Sequence, residues 1–150
     1  MSDEVKRAGG CMCGAVRYEA VGEPLTVAYC HCLSCRRHTG APVVTWVAYE
    51  SRRVRYPQGK RKIYNSSPGV SRAFCGECGT PLTWEGESRR FAGKFITEFH
   101  ISTLDDPLAC IPDRHWFDSE RISWFDTADN LPRYRELDGQ GIAPDHNGRP

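Results

Sequence analysis

The sequence predicts a mainly β domain of short antiparallel strands, and three observations predict it. The apolar residues come in short alternating or continuous runs, without a long helical period. Clusters of Gly, Pro, Asn and Ser divide those runs and supply the dihedrals that turns require. Seven of the eight cysteines fall into three tight groups: Cys11-Met12-Cys13, Cys30-His31-Cys32-Leu33-Ser34-Cys35 and Cys75-Gly76-Glu77-Cys78. Such spacing lets a small chain fold round metal ions.

The elements follow in order. Residues 15–20 alternate, with Val16 and Tyr18 on one face and Arg17 and Glu19 on the other. Residues 25–30 run directly into the second cysteine group. Residues 43–49 are β-branched and aromatic, the composition of a central strand. Shorter strands are expected at 54–56, 62–65, 71–74, 82–84, 89–92, 97–101 and 115–117. Breaks fall at Pro57-Gln58-Gly59, Ser66-Ser67-Pro68-Gly69, Glu85-Gly86-Glu87-Ser88 and Asp105-Asp106-Pro107. Only 33–39 and 119–124 have the makings of a helical turn. The layout is thus a flexible stretch over residues 1–8, one domain over 9–138 in which two sheets meet at the metal, and a disordered tail over 139–150.

Charge excludes some functions. The chain has 20 basic and 19 acidic residues, a net +1, which is not the basic excess of a nucleic-acid binder. Trp46, Trp84, Trp116, Trp124 and Phe125 read as core rather than as a base-stacking platform. No run approaches the ~20 apolar residues of a membrane span, and the N-terminus has no apolar signal region. A soluble, cytoplasmic protein is expected, and there closely spaced cysteines favour metal over disulfides.

The first and third groups together offer four sulfurs, enough to close a structural zinc site with Zn–S distances of about 2.3 Å. Glycines flank both pairs and free the backbone to turn both thiolates toward one ion. The middle group offers three thiols, Cys30, Cys32 and Cys35. Either its fourth position is open, as in a reactive site, or His31, His38, His100, His115 or Cys110 closes it; spacing alone leaves both standing. His31 is a poor closer, because neighbouring side chains in extended backbone point opposite ways. Cys110, flanked by apolar residues, reads as a buried thiol. Three thiolates leave the ion net negative, poor at activating water and better suited to a fourth, incoming sulfur. Arg36 and Arg37 follow at once, as a fork for a substrate carboxylate or as solvated surface.

Three stretches resemble the glutathione-dependent formaldehyde-activating enzyme family, which includes centromere protein V-like proteins. They are Gly10-Cys11-Met12-Cys13-Gly14-Ala15-Val16-Arg17-Tyr18, Cys30-His31-Cys32-Leu33-Ser34-Cys35-Arg36-Arg37 with Thr39-Gly40-Ala41, and Phe74-Cys75-Gly76-Glu77-Cys78-Gly79-Thr80-Pro81-Leu82. Thr103-Leu104-Asp105-Asp106-Pro107 and His115-Trp116-Phe117 fit more loosely. The resemblance implies an Mss4-like (β-tent) fold and two zinc ions per chain. It makes Cys11, Cys13, Cys75 and Cys78 ligands of the structural zinc, and Cys30, Cys32 and Cys35 ligands of the catalytic one. It also implies a carbon–sulfur lyase that adds the glutathione thiol to formaldehyde, giving S-(hydroxymethyl)glutathione. By residue type, the proton donor would be His38, Glu98, His100 or His115. Two alternatives are a non-catalytic zinc module for a protein or nucleic-acid partner, and a thiol redox protein; against the latter, no βαβ pattern surrounds Cys75-Gly76-Glu77-Cys78.

Overall fold

Alternation and turn residues place ten strands and one short helix in the computed structural model, which describes residues 4–138. The tail expected from residue 139 lies outside them. In chain order the elements are β1 (Lys6–Gly10), β2 (Arg17–Val21), β3 (Thr26–Cys30), α1 (Leu33–Thr39), β4 (Val44–Glu50) and β5 (Val54–Gln58), then β6 (Arg61–Ser67), β7 (Val70–Cys75), β8 (Pro81–Ser88), β9 (Lys94–His100) and β10 (His115–Trp116). A three-stranded sheet has the order β1-β2-β5, and a seven-stranded sheet the order β10-β3-β4-β9-β8-β7-β6. Every pairing is antiparallel except that of β10 with β3, which is parallel.

Cross-strand register sorts the large sheet into two chemically distinct faces. Val27, Val47, Phe99, Thr83 and Ala73 are successive partners across five strands, and all are buried. This row faces the small sheet, where the Tyr18 ring stacks on Phe99 at 3.8 Å between centroids. Val16, Ala20, Tyr49 and Leu104 complete that core, and so does Cys110, a buried thiol. The opposite face carries the row Thr26, Ala48, Glu98, Trp84 and Arg72. A second cluster of Ala28, Cys30, Cys35, Val44, Trp46 and Trp116 lies on this side.

Four expectations are corrected. The stretch expected to be flexible over residues 1–8 enters β1 at Lys6; pairing with β2 overrides the low strand propensity of its glycines. Residues 89–92 are not a strand but a 3₁₀ turn, Arg89–Phe91, closed by Ala92 at φ 54°. The break expected at 85–88 is instead the second half of β8, held by pairing with β9 (Gly86 opposite Ile96). Trp124, expected in the core, is 75% exposed, because it follows the 3₁₀ turn Asp118–Glu120 in irregular chain outside both sheets.

Candidate metal centres and the adjoining pocket

The four-cysteine group joins the two sheets. Cys11 and Cys13 lie in the turn after β1; Cys75 ends β7 and Cys78 lies in the turn before β8. Each pair is a tight knuckle in which a glycine amide reaches back to a cysteine carbonyl: Gly14 to Cys11 at 3.1 Å and Gly79 to Cys75 at 2.9 Å. Both glycines have φ of 79°, a region that side chains disfavour. The Val16 amide donates to Cys11 Sγ at 3.2 Å and the Glu77 amide to Cys75 Sγ at 3.4 Å, as suits sulfurs that carry negative charge.

A tetrahedral zinc with 2.3 Å bonds sets its sulfurs about 3.8 Å apart. Cys11 and Cys13 Sγ are separated by 3.5 Å, and Cys13 and Cys75 Sγ by 3.8 Å. All four ligand atoms lie within 4.8 Å of one another. These separations are far beyond a sulfur–sulfur bond, and all eight cysteines are free thiols. The group can hold a metal ion and offers it a full tetrahedron.

The three-cysteine group is assembled differently. Cys30 is the last residue of β3, Cys32 is the N-cap of α1, and Cys35 sits in the first turn of that helix. The Cys35 amide donates to Cys32 Sγ at 3.3 Å, a cap that fixes the loop to the helix. Cys30 and Cys35 Sγ are 3.7 Å apart, again a zinc spacing. Their protonation shows how the donor set suits a cation. The Cys35 thiol is drawn down to about 2, first by its neighbours Cys30 and Cys32 and then by the Arg72 guanidinium, whose Nη1 and Nη2 lie 3.8 Å from its sulfur. Cys30 is pushed well up by Cys32 and Cys35 and by burial. Three crowded sulfurs cannot all ionise until a cation joins them. Among the described residues no fourth Cys, His, Asp or Glu completes the group.

The candidate closers are accounted for. His31 turns to the other side of the loop, where its Nε2 shares a 2.8 Å hydrogen bond with His115 Nδ1. His115 Nε2 in turn meets Asp129 Oδ2 at 3.0 Å. Asp118 lies 4.0 Å from His31 and accepts from Arg133 at 2.9 Å. These three groups, His31, His115 and Asp118, are close enough to ligate an ion; the histidine–histidine bond and the Arg133 pairing engage His31 Nε2 and Asp118 Oδ1, while His31 Nδ1 and Asp118 Oδ2 are buried without a hydrogen-bond partner. Burial lowers the pKa of both rings and favours their neutral forms. His38 stacks on His100 at 6.3 Å, and His100 packs on Trp46 at 4.1 Å. Arg36, a candidate carboxylate fork, is engaged within the fold: Nε donates to the His31 carbonyl and Nη2 to the Glu120 carbonyl, both at 3.0 Å. Sequence reasoning missed both the histidine relay and Arg72. Only His115-Trp116-Phe117 hinted at the relay, and nothing local marked Arg72.

Beside Cys30, Cys32 and Cys35 opens a cavity of about 290 Å³. Trp46, Trp84, Trp116, Phe117 and Leu137 form its apolar wall, and Arg72, Glu98 and Glu120 contribute polar groups. Of the four proton-donor candidates only Glu98 lines it. Burial first, and the Cys35 thiolate second, push the Glu98 carboxyl up to about 8. Register explains its placement: Glu98 stands directly between Trp84 and Ala48 on the second face of the sheet.

The fold and the two cysteine groups together define a mainly β protein with two groups that could hold metal, one of them beside a cavity. The chain belongs to the glutathione-dependent formaldehyde-activating enzyme family, whose model matches residues 6–120. It is 28% identical over 109 residues to a Schizosaccharomyces pombe protein named as an uncharacterized lyase, spanning 71% of this chain and 79% of that relative. A crystal structure of a Rhodobacter sphaeroides protein is similar with a TM-score of 0.53 and 24% identity, covering 70% of this chain and 97% of that one. The architecture is accordingly mainly β and of the Mss4-like type that the family resemblance implied. Among the described residues no helix is long and apolar enough to cross a membrane.

Proposed function

We propose that this protein is a zinc-dependent carbon–sulfur lyase that joins a thiol such as glutathione to formaldehyde or a related small aldehyde. One observation carries the reading: three cysteines with no fourth partner among the described residues face a cavity that also presents a carboxyl with a pKa near 8. Family membership and the lyase-named relative support it. Cys30, Cys32 and Cys35 would hold the catalytic zinc, and Cys11, Cys13, Cys75 and Cys78 the structural one. A zinc ion held by Cys30, Cys32 and Cys35 would supply a Lewis acid that favours the thiolate form of an incoming thiol.

The remaining work falls to side chains. Glu98, protonated at neutral pH, gives its proton to the oxygen that becomes an alkoxide as the carbon–sulfur bond forms. In the reverse direction it takes that proton back. Trp46, Trp84 and Trp116 keep water from the reacting atoms. Arg72 holds Cys35 by hydrogen bonds to its sulfur and so fixes one corner of the ligand set. The His31–His115–Asp129 relay braces the loop from behind.

Cys32→Ser tests the reading. Cys32 is half-buried at the lip of the cavity, and serine retains an N-cap oxygen for α1. Adduct turnover should vanish while the far-UV spectrum and melting temperature stay close to those of the parent. Turnover retained in this variant would sink the mechanism.

A further inference from the structure

The cavity is much larger than the smallest aldehyde needs. Formaldehyde has two heavy atoms, and a water molecule claims about 30 Å³ of liquid, against about 290 Å³ here. Indole and phenyl rings of Trp46, Trp84, Trp116 and Phe117 line the cavity beside the cysteines. Trp46 and Trp116 are 2% exposed and belong to the packed cluster around Cys30 and Cys35, so this lining is rigid rather than collapsible.

The charges point the same way. Among the described lining residues Arg72 is the single cation, and it is turned toward Cys35 Sγ. Glu98 and Glu120 are the acidic members. Two nearby arginines are already engaged, Arg36 with the carbonyls of His31 and Glu120 and Arg90 with Asp138 in a two-pronged bond at 2.9 Å. Among the described lining residues, a thiol body bearing two carboxylates finds no cation besides Arg72, which is turned toward Cys35. Burying an unpaired carboxylate is costly, so those charges stay at the mouth.

We infer that the interior receives the aldehyde's own side chain, and that the preferred acceptor is an aldehyde bearing an aromatic or bulky apolar group rather than formaldehyde. This rests on the carbon–sulfur lyase reading and shifts its preferred acceptor from the smallest aldehydes to ones that carry an apolar group. The step balances without any redox partner. The thiolate sulfur bonds the carbonyl carbon, the carbon–oxygen π pair moves to oxygen, and the Glu98 proton ends there. The proton lost when the thiol ionises restores Glu98 through solvent. An apolar group in such a pocket is discriminated by about 10- to 200-fold per methylene-sized increment.

The test compares formaldehyde, butanal and benzaldehyde with glutathione held constant, using the zinc-loaded protein, Trp84→Ala and Trp84→Phe. A second readout titrates intrinsic tryptophan fluorescence with benzyl alcohol, an unreactive aromatic probe, in the parent and in Cys32→Ser. The expected kcat/KM for benzaldehyde exceeds that for formaldehyde by about tenfold or more. Trp84→Ala should erase that ratio, Trp84→Phe should restore most of it, and benzyl alcohol should quench saturably in both proteins. If formaldehyde is the best substrate and benzyl alcohol does not bind, the substrate class is wrong while the lyase reading stands. If benzyl alcohol binds in a Trp84-dependent way but no aldehyde is consumed, the aromatic pocket is supported and the lyase reading falls.

Discussion

Replacing Glu98 with glutamine removes a proton while leaving the shape of the cavity nearly unchanged. With its carboxyl pushed up to about 8, Glu98 carries its proton in about ten of eleven molecules at pH 7; at the ordinary value of 4.5 only about one in 300 would do so. The fold therefore enriches the proton-donating form by about 300-fold, and general acids of this kind are worth about 10²- to 10⁴-fold in rate. Turnover of Glu98→Gln should fall by that amount, and the parent's decline in kcat as pH rises through about 8 should disappear from the variant's residual rate. Stability gives an independent reading. A carboxyl whose folded pKa lies above its unfolded one contributes stability that is complete below about 4.5 and is lost as pH rises through about 8. Chemical denaturation of the parent should thus weaken across that window, and Glu98→Gln should flatten the slope. A variant with parental kcat and an unchanged pH profile would refute Glu98 as the proton donor.

Other consequences follow from the two metal groups. Cys75→Ser removes one corner of the site that ties β1 to β7, and since metal affinity there is folding free energy, the melting temperature should drop by about 10 °C or more, or the chain should fail to accumulate in soluble form; an unchanged thermal scan would contradict a structural role. Asp129→Asn weakens the bond to His115 and so loosens the loop holding Cys30, Cys32 and Cys35. Metal affinity at that group should fall about tenfold by competition with a colorimetric chelator, while the four-cysteine group keeps its ion. Equal loss from both groups would mean that the relay supports the fold rather than the loop.

Strand identity was largely legible because burial on a sheet face writes a two-residue period into the sequence, as at Val16 and Tyr18. The helix at Leu33–Thr39 was legible too, since Gly40 follows it and its amide closes on the Arg36 carbonyl. β1 was hidden by Gly9 and Gly10, because its pairing is decided by β2 rather than by its own composition. The cysteine groups were visible as local spacing, and that the first and third come together depends on chain sixty residues apart. Arg72 and Glu98 could not be assigned from local pattern. They join the site through the register of β7, β8 and β9, in which Arg72 faces Trp84 and Trp84 faces Glu98. The histidine relay required β10 to pair beside β3, a parallel contact that sequence alternation does not announce.

On this reading one chain carries a closed four-cysteine metal site and an open three-cysteine one. Zinc content per chain, measured on reduced protein purified without chelator, tests it most directly when the parent is set beside Cys32→Ser. Two equivalents in the parent and one in the variant, with the fold retained in both, is the expected result. One equivalent in the parent that added zinc does not raise, or a count that Cys32→Ser leaves unchanged, would contradict it.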